Sequence, residues 1–162
     1  MAQKTEECKP LVVVRIRGTV SAQREARETL ELLHLTHTNH AVIIDSRPAY
    51  KGMLQRINAY VTYGEPTKET IVMMLQKRAL LAGDKKLTEE YITKIGYKNI
   101  DELADAIVSN KIQYGKLPDI QSRFRLHPPS KGYKGKTKKA FKAGGEAGYR
   151  GEAINALVQR MV

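Results

Sequence analysis

The chain has 162 residues, a formal net charge of +11 at pH 7 and a sequence pI near 9.8. This length suits one ordinary domain, or a compact core with a smaller addition, and a hydrophobic content of 41% predicts that most of the chain folds. The sequence has no apolar run long enough to cross a bilayer and no signal-peptide pattern, so we expect neither a membrane protein nor a secreted one. The single cysteine, Cys8, excludes an intrachain disulfide framework and is typical of a reducing cytosol.

The first predicted strand begins at Pro10, after a polar leader at 1–9 that we expect to be flexible. Side chains along a strand point alternately to its two faces. The two faces carry Val12, Val14 and Ile16 on one side and Val13, Arg15 and Arg17 on the other. The pattern therefore predicts a half-buried strand that packs against helices through its apolar face and has a basic open face.

Helix and strand patterns continue to residue 65. Ser21 can cap a first helix, and residues 41–45 form a short β-branched run. Pro48 suits the first position of a second helix, and residues 59–64 predict a third strand rich in Tyr, Val and Thr. This order predicts an α+β fold with a β-α-β-α-β core at 10–65 and both helices on one face of the sheet. We expect the first two strands to be parallel and joined by a right-handed crossover.

The rest of the chain divides into three parts by pattern. Residues 66–116 predict a helical addition, whose first helix Thr67 can cap. Residues 117–150 predict a basic extended loop. Residues 151–162 predict a C-terminal anchoring helix, because they carry an apolar stripe that a free tail would not need. The stripe consists of Ile154, Leu157, Val158 and Met161.

The loop contains a run of 26 residues, 120–145, with eight basic and no acidic side chains. Such a segment buries too little apolar surface to fold alone, and its charges repel one another. A polyanion relieves the repulsion, because each neutralised phosphate releases condensed counterions. The aromatic rings and Arg planes in the run also suit stacking on unpaired bases. The run therefore favours nucleic-acid binding over the alternative of a solvated, flexible loop.

Two further patterns indicate other chemistry only weakly. The segment 132–137 is similar to a phosphate loop, but Ser130 occupies the place of the first glycine and Pro128-Pro129 replaces the preceding strand. His34, His37 and His40 are spaced by three but span a helix end, a loop and a strand start, so they need not converge on a metal. We expect no catalytic residue, no metal and no cofactor.

Five stretches, which together span most of the chain, carry specific combinations of residues: VVVRIRGTV, TLELLHLTHTNHAVII, RPAYKGMLQRINAYVTYGEP, FRLHPPSKGYKG and GGEAGYRGEAINALVQRM. In these stretches the chain resembles the large-subunit ribosomal protein L-thirty family in its long archaeal and eukaryotic form. The resemblance implies a three-stranded mixed sheet of strand order 3-1-2, similar to the ferredoxin-like fold, docked on large-subunit (23S-type) ribosomal RNA. Further expected neighbours are the 5S ribosomal RNA region and adjacent large-subunit proteins, with no membrane and no small-molecule substrate.

The sequence thus predicts a non-enzymatic cytoplasmic constituent of the large ribosomal subunit, which binds folded RNA by charge neutralisation and shape fitting. The alternatives are a free-standing RNA- or DNA-binding regulator and a phosphate-loop enzyme. The candidate RNA-binding residues are Arg123, Arg125, His127, Lys131, Tyr133, Lys134, Lys136, Lys138, Lys139, Lys142 and Arg150. A second set lies on the faces of the first strand and beside the second helix: Arg15, Arg17, Arg47, Lys51 and Arg56.

Overall fold

The structure, a computed structural model, describes residues 8–162, so most of the leader at 1–9 lies outside the described residues. Within 8–162, six strands form one mixed sheet: β1 Pro10–Arg15, β2 His40–Asp45, β3 Val61–Gly64, β4 Arg123–Arg125, β5 Lys136–Ala140 and β6 Gly145–Tyr149. The α-helices are α1 Arg24–Leu32, α2 Pro48–Ile57, α3 Lys68–Arg78, α4 Glu89–Ile95, α5 Ile100–Val108 and α6 Ala153–Met161. Short 3-10 helices lie at Tyr114–Lys116 and Phe141–Ala143. None of the helices within 8–162 is long and apolar enough to cross a membrane.

The strands lie in the order β4-β2-β1-β3-β6-β5. β1 is antiparallel to both β2 and β3, and β4 is antiparallel to β2. On the other side, β6 pairs parallel with β3, and β5 pairs parallel with β6. The expected order 3-1-2 is therefore the middle of the sheet, but the expected three-stranded sheet was wrong because three more strands extend its two edges.

The first two strands are not parallel, which corrects the expected crossover. Leu11 of β1 faces Ile44 of β2, and Val14 faces Ala41, in antiparallel register. β2 starts beside the end of β1, where the Asn39 N–H donates a hydrogen bond to the Arg15 carbonyl (2.7 Å). The segments 16–23 and 33–39 on either side of α1 are long enough to bring the chain back to that end. The handedness rule for adjacent parallel strands therefore does not apply to this pair.

Both faces of β1 are buried, so the expected open, basic face was wrong. Val14 belongs to an apolar cluster built with residues of α3, α5 and α6, whereas Val13 belongs to a second cluster built with residues of α1 and α2. The helices of the β-α-β-α-β core thus cover the face of Val13, and the added helices cover the face of Val14. A strand with a layer on each side is buried throughout, and its polar end residue must be satisfied inside the protein.

The segment 117–150, which we expected to be an extended loop, contains strands β4, β5 and β6. β4 adds to the edge of β2 and β6 adds to the edge of β3. Unpaired backbone groups at the edge of a sheet accept a new strand whatever its side chains, so a charged composition does not prevent pairing. The charge pattern therefore indicated solvent exposure but not backbone conformation.

The two ends of the basic segment are attached to the body. At the C-terminal end, the stripe of α6 is fully packed, since Ile154, Leu157, Val158 and Met161 are each at most 1% exposed. At the other end, the His127 N–H donates to the Met161 carbonyl (2.9 Å). The predicted docking of the last helix is therefore confirmed. A helix this short is marginal alone and depends on such packing.

The predicted helix caps had mixed outcomes. Thr67 caps α3 through its Oγ1, which accepts a hydrogen bond from the Thr70 N–H (3.4 Å). Pro48 occupies the first turn of α2 as expected. Ser21 does not cap α1, because α1 starts at Arg24 after Gln23 and Ser21 has a positive φ of 62°. The local sequence indicated the presence of α1 but placed its start too early.

The double burial of β1 predicts that Val13→Asp destabilises the protein as strongly as Val14→Asp. Both side chains are 0% exposed, and an unpaired carboxylate in either cluster should cost several kcal/mol of unfolding free energy. The matched control is Val20→Asp, because Val20 is 93% exposed and the same change there should stay within about 0.5 kcal/mol. Urea unfolding measures all three variants. Near wild-type stability for Val13→Asp would contradict the second covered face.

Candidate nucleic-acid interface

The exposed lysines gather on β5 and on the turn that follows it; we call residues 134–143 the basic arm. β5 is an edge strand of the sheet, and four of its five residues are exposed while Thr137 is half-buried. Its pairing with β6 is irregular between Lys136 and Ala140, so Lys138 and Lys139 do not follow the strict alternation of a regular strand. The lysines of this narrow element are exposed and therefore accessible to phosphates.

The arm lysines have no partner within the described protein. The exposed cations Lys134, Lys136, Lys138, Lys139 and Lys142 make no ion pair or side-chain hydrogen bond with any residue of 8–162. The neighbouring Lys131, in the turn before the arm, is likewise exposed and without such a contact. Lysine ammonium groups are compact and strongly hydrated, which suits contacts with phosphates at a wet surface. The arm therefore presents a concentrated positive charge that the protein itself leaves unneutralised.

A buried ion pair between Glu146 and Arg150 fixes the base of the basic arm. Arg150 Nη2 donates to Glu146 Oε2 in a close contact, and Arg150 Nε donates to Thr62 Oγ1 of β3 (2.7 Å). The other carboxylate oxygen, Glu146 Oε1, accepts a hydrogen bond from the Gly135 N–H (2.8 Å). One carboxylate thus joins the start of the arm to β6, while its partner Arg150 joins β6 to β3.

The guanidinium of Arg150 also supports the end of the arm. It lies 4.8 Å from the centroid of the Phe141 ring, within the range of a cation–π contact. The Phe141 side chain sits at the turn between β5 and β6 and is 37% exposed. The same buried arginine therefore holds both the sheet register and the position of an exposed aromatic ring.

The environment of Glu146 keeps its carboxyl group ionised. Burial alone would raise the pKa of Glu146, but the hydrogen bonds from Arg150 and from the Gly135 N–H, with the positive charges of Arg150 and Arg160, outweigh it. The pKa of Glu146 therefore lies below its ordinary value. The negative charge that pairs with Arg150 persists throughout the neutral range.

Glycine at position 145 permits the close packing of the arm on β6. A Cβ atom there would lie 2.0 Å from the Lys139 carbonyl oxygen, which no side chain can tolerate. Gly148 has a φ of 86°, and a Cβ there would lie 2.7 Å from Asn58 Oδ1. Only glycine accommodates these approaches at no steric cost. Gly145 is thus required for the packing of the arm on β6, and Gly148 for the packing of β6 beside Asn58.

Two predicted RNA-binding residues, Arg15 and Arg150, lie inside the protein. Arg15 is 5% exposed, and its Nη1 donates to the carbonyls of Leu35 (2.8 Å) and Thr36 (2.6 Å). Arg150 is 8% exposed, and its Nε and Nη2 donate to Thr62 and Glu146. Their assignment to an RNA surface is corrected, because buried guanidinium groups with internal partners cannot meet a phosphate without unfolding their surroundings.

The other candidates of the first set include one side chain with structural contacts and several at the surface. The Tyr133 hydroxyl donates to Asn39 Oδ1 (3.1 Å) and its ring packs on the core, so this side chain is at least partly structural. Arg125 is exposed and pairs with Asp84 (3.3 Å). His127 is exposed beside the two prolines, and Arg123 is half-buried. Arg123 and Arg125 belong to β4, at the opposite edge of the sheet from β5, and His127 follows β4 in the chain.

The second candidate set lies mostly at the surface. Arg17 is half-buried, with its guanidinium 5.5 Å from the centroid of the Tyr60 ring, and Arg47 pairs with the buried Asp45 (2.7 Å). Lys51 and Arg56 are exposed on α2. Except for Arg15, this set therefore remains accessible, but its members are spread over several elements and do not form one cluster with the arm.

The three histidines do not form a metal centre, since no group of metal-ligating side chains converges among residues 8–162. The rings of His37 and His40 lie 5.1 Å apart, and His40 Nδ1 accepts from the His37 N–H (3.3 Å). Burial first, and then the charges of His37 and the nearby arginines, lower the pKa of His40 to about 4. His40 is therefore a neutral structural side chain at the start of β2.

Sequence reasoning did not select Glu146 or Phe141 as functional candidates. Glu146 directly follows the basic run at 120–145, and Phe141 is one of the aromatic rings within that run. The signal available was the spacing of Glu146 and Arg150 beside the glycines, but without β6 in place the spacing did not indicate a pair. Their role depends on a strand pairing that the composition concealed.

The fold and the arm define a class: an α+β protein with helices on both faces of one mixed sheet and an exposed basic arm at the sheet's edge. Residues 11–61 match the sequence model of the family described as ribosomal protein L30p/L7e. The chain is 45% identical over 152 residues to large ribosomal subunit protein uL30 of Thermofilum pendens, which covers 93% of this chain and 97% of that protein. It is 46% identical over 150 residues to the uL30 of Archaeoglobus fulgidus, covering 92% and 97%.

The uL30 of Korarchaeum cryptofilum is 41% identical over 158 residues, covering 97% of this chain and 98% of that protein. The family match at 11–61 spans the strands and helices from β1 to the start of β3. The relatives extend the match over the added helices, the basic arm and α6. The chain therefore belongs to the ribosomal protein L30p/L7e family, and the resemblance seen in the sequence motifs is confirmed.

The buried pair predicts that Glu146→Gln lowers the unfolding free energy by about 3–5 kcal/mol at neutral pH, because Arg150 would remain buried without its counter-charge. The difference from wild type should shrink as the pH falls below about 4.3, where an unfolded glutamate takes up its proton. This pH dependence has the direction expected for a carboxyl group whose pKa is lower in the folded protein than in the unfolded one. Ionised Glu146 stabilises the protein fully above the unfolded pKa, and this stabilisation is lost as the pH falls through the folded pKa.

Urea unfolding at several pH values measures this difference. The exposed Glu25→Gln in α1 is the control and should change little at any pH. A Glu146→Gln variant as stable as wild type at pH 7 would show that Thr62 and the backbone satisfy Arg150 without the carboxylate.

Proposed function

We propose that this chain is a structural constituent of the large ribosomal subunit in the cytoplasm, where it binds and stabilises folded ribosomal RNA and catalyses no reaction. Its family membership and near full-length similarity to proteins named large ribosomal subunit protein uL30 support this function. The observation that carries it is the basic arm, whose lysines are exposed and have no partner among residues 8–162. Such an unneutralised cluster is stabilised when phosphates replace its counterions.

The proposed mechanism separates positioning from recognition. Lysine contacts to phosphates would fix the orientation of the protein without reading sequence. The rigid body, with helices on both faces of one sheet, would supply shape complementarity to the folded RNA. Because the Glu146–Arg150 pair already orders the arm, the protein gives up less conformational freedom on binding than a free loop would.

The proposed RNA-facing set omits the buried Arg15 and Arg150 and the partly structural Tyr133, and keeps the exposed candidates together with the half-buried Arg123. It consists of Lys131, Lys134, Lys136, Lys138, Lys139 and Lys142 around the arm, and Arg123, Arg125 and His127 at the β4 edge. Arg17, Arg47, Lys51 and Arg56 form a secondary set. The proposed partners are large-subunit ribosomal RNA of the 23S type, with the 5S RNA region and adjacent large-subunit proteins as neighbours.

The division of labour along the chain is likewise a proposal. The β-α-β-α-β core at 10–65 would provide the rigid body, and the helices of 66–116 would cover its second face. Residues 117–150 would provide the RNA contacts, and α6 would anchor them through its packed stripe. This division is supported by the two apolar clusters, each of which draws on a different set of helices.

The alternative functions have less support. A phosphate loop would need a helix directly after 132–137, with its N-terminus aimed at the phosphates, but this segment leads into β5. A free-standing RNA- or DNA-binding regulator would use the same arm and differs only in its location. Sedimentation separates the two, since a subunit constituent should co-migrate with large subunits in high salt, whereas a regulator should dissociate.

The arm predicts a specific salt dependence of binding. Changing Lys134, Lys136, Lys138 and Lys139 to Ala should reduce the slope of log K against log salt by up to about four, since each lysine that meets a phosphate releases counterions. The measurement is a titration of protein-free large-subunit RNA at several salt concentrations. The melting temperature should hardly change, because these side chains are exposed.

A matched control removes four exposed lysines elsewhere, Lys85, Lys94, Lys98 and Lys111, and so lowers the net charge equally. Its slope should change much less. Equal slopes for the two quadruple variants would mean that binding responds to net charge alone, and an unchanged slope in the arm variant would reject the arm as the RNA contact.

A further inference from the structure

The Phe141 side chain is the feature of the arm that charge neutralisation does not explain. The chain has two phenylalanines, and the other one, Phe124, is 0% exposed and stacked on Tyr114 with ring centroids 4.7 Å apart. Phe141 instead lies at the exposed turn of the arm, next to Lys142 and two residues after Lys139. An apolar ring among unpaired lysines contributes nothing to phosphate binding.

The position of the Phe141 ring is fixed before any ligand arrives. Its support is the Arg150 guanidinium, 4.8 Å from the ring centroid, and that guanidinium is itself held by Thr62 and Glu146. A ring held in this way need not be ordered on binding, which lowers the cost of stacking. The arrangement resembles the aromatic platforms on which bases stack in single-strand binding proteins.

A cleft of about 360 Å³ opens beside the ring, between the arm and α6. Its α6 wall carries the small side chains Ala153 and Ala156, and Gly144 and Gly145 lie on the arm side. Small residues on both sides leave room for a flat group to enter. The volume lies within the range of ordinary small-ligand sites.

Three cations line the same cleft, and besides Arg150, which Glu146 and Thr62 already hold, Lys134 and Arg160 have donors to offer. Lys134 is exposed and has no partner among residues 8–162. Arg160 uses its Nη1 to hold the carbonyls of Ser130 (3.3 Å) and Gly132 (3.1 Å), while its remaining N–H groups make no hydrogen bond within the described chain. The carboxylate of Glu146 also borders the cleft, but Arg150 and Gly135 already engage both of its oxygens. The cleft therefore combines an aromatic surface with net positive charge.

We propose that this cleft binds one unpaired RNA nucleotide, whose base stacks on Phe141 while its phosphate meets Lys134 and Arg160. This proposal rests on the proposed function and specifies the kind of RNA that the arm recognises. A base within a duplex presents no free face to a side chain, so the occupant must be a bulged, looped or single-stranded nucleotide. Stacking tolerates any base, and specificity would come from where the folded RNA leaves a nucleotide unpaired.

The test compares Phe141→Leu with Phe141→Tyr in the full chain. Leu keeps an apolar side chain but removes the ring, so affinity for protein-free large-subunit RNA should fall by about 5- to 100-fold. Tyr keeps the ring and should bind close to wild type. The salt slope should be unchanged in both variants, because neither removes a phosphate contact.

A second readout addresses the base directly. A short single-stranded RNA with one fluorescent base analogue should be quenched by the wild type and by Phe141→Tyr but not by Phe141→Leu, and the same RNA in a duplex should not be quenched. The proposal is overturned if Phe141→Leu weakens binding to large subunits that lack only this protein but leaves the quenching of the short RNA unchanged. In that case the cleft is occupied by a side chain of another subunit protein.

A third variant covers the case in which Phe141→Leu disturbs Arg150. Ala156 is exposed on α6 and lines the cleft, so Ala156→Leu adds bulk to the cleft while both Phe141 and Arg150 keep their own side chains. It should lower affinity to a similar extent, with an unchanged melting temperature, and wild-type affinity would reject the cleft.

The lysine variant separates failure of this proposal from failure of the proposed function. If replacing the arm lysines alters the salt slope but none of the Phe141 and Ala156 variants alters binding, the nucleotide site is wrong and the proposed function stands. An unaltered slope in the lysine variant would reject the arm as the RNA-binding element.

Discussion

The buried ion pair between Glu146 and Arg150 determines where the basic arm stands. A buried pair by itself is weak evidence of stability, since desolvation offsets much of the attraction. Here its value lies in geometry, because the pair and its hydrogen bonds reach β3 through Thr62 and the start of the arm through Gly135. β6 joins β3 in parallel, far from it along the chain, so no tight turn sets that register. The polar network ties β6 to β3 in this register, which no local connection could set for two parallel strands.

This constraint explains how the chain keeps a repulsive segment ordered. The arm lysines repel one another and have no counter-charge in the described protein, while the nearby carboxylate of Glu146 is committed to Arg150. The repulsion is tolerated because the backbone of the arm is paired with β6 and packed against Gly145, and because both ends of the segment are tied to α6 and β3. The arm thus combines a paired backbone with a concentrated positive field.

The sequence predicted the core better than it predicted the arm, for identifiable reasons. The apolar alternation of Val12 and Val14 and the stripe of α6 depend on local spacing, and both were confirmed as buried surfaces. The second covered face of β1 was missed because Arg15 was taken as a solvent marker. Its guanidinium is satisfied by the carbonyls of Leu35 and Thr36, which approach only once α1 has turned back. Strands β5 and β6 were missed because pairing with a distant strand leaves no local periodicity in a charged, glycine-rich segment.

Whether a cation is an arginine or a lysine indicates its role, structural or at the surface, better than the number of charges in the segment does. The buried cations are the arginines 15 and 150, whose planar groups satisfy several acceptors at fixed angles, whereas the arm carries only lysines. A guanidinium can be enclosed because its hydrogen bonds replace its weak hydration, but an ammonium group is strongly hydrated and remains at the surface. A prediction from charge treats arginines and lysines alike and therefore assigned Arg150 to the RNA surface. The chemistry of each group instead assigns Arg150 to holding the arm and leaves the lysines at the surface.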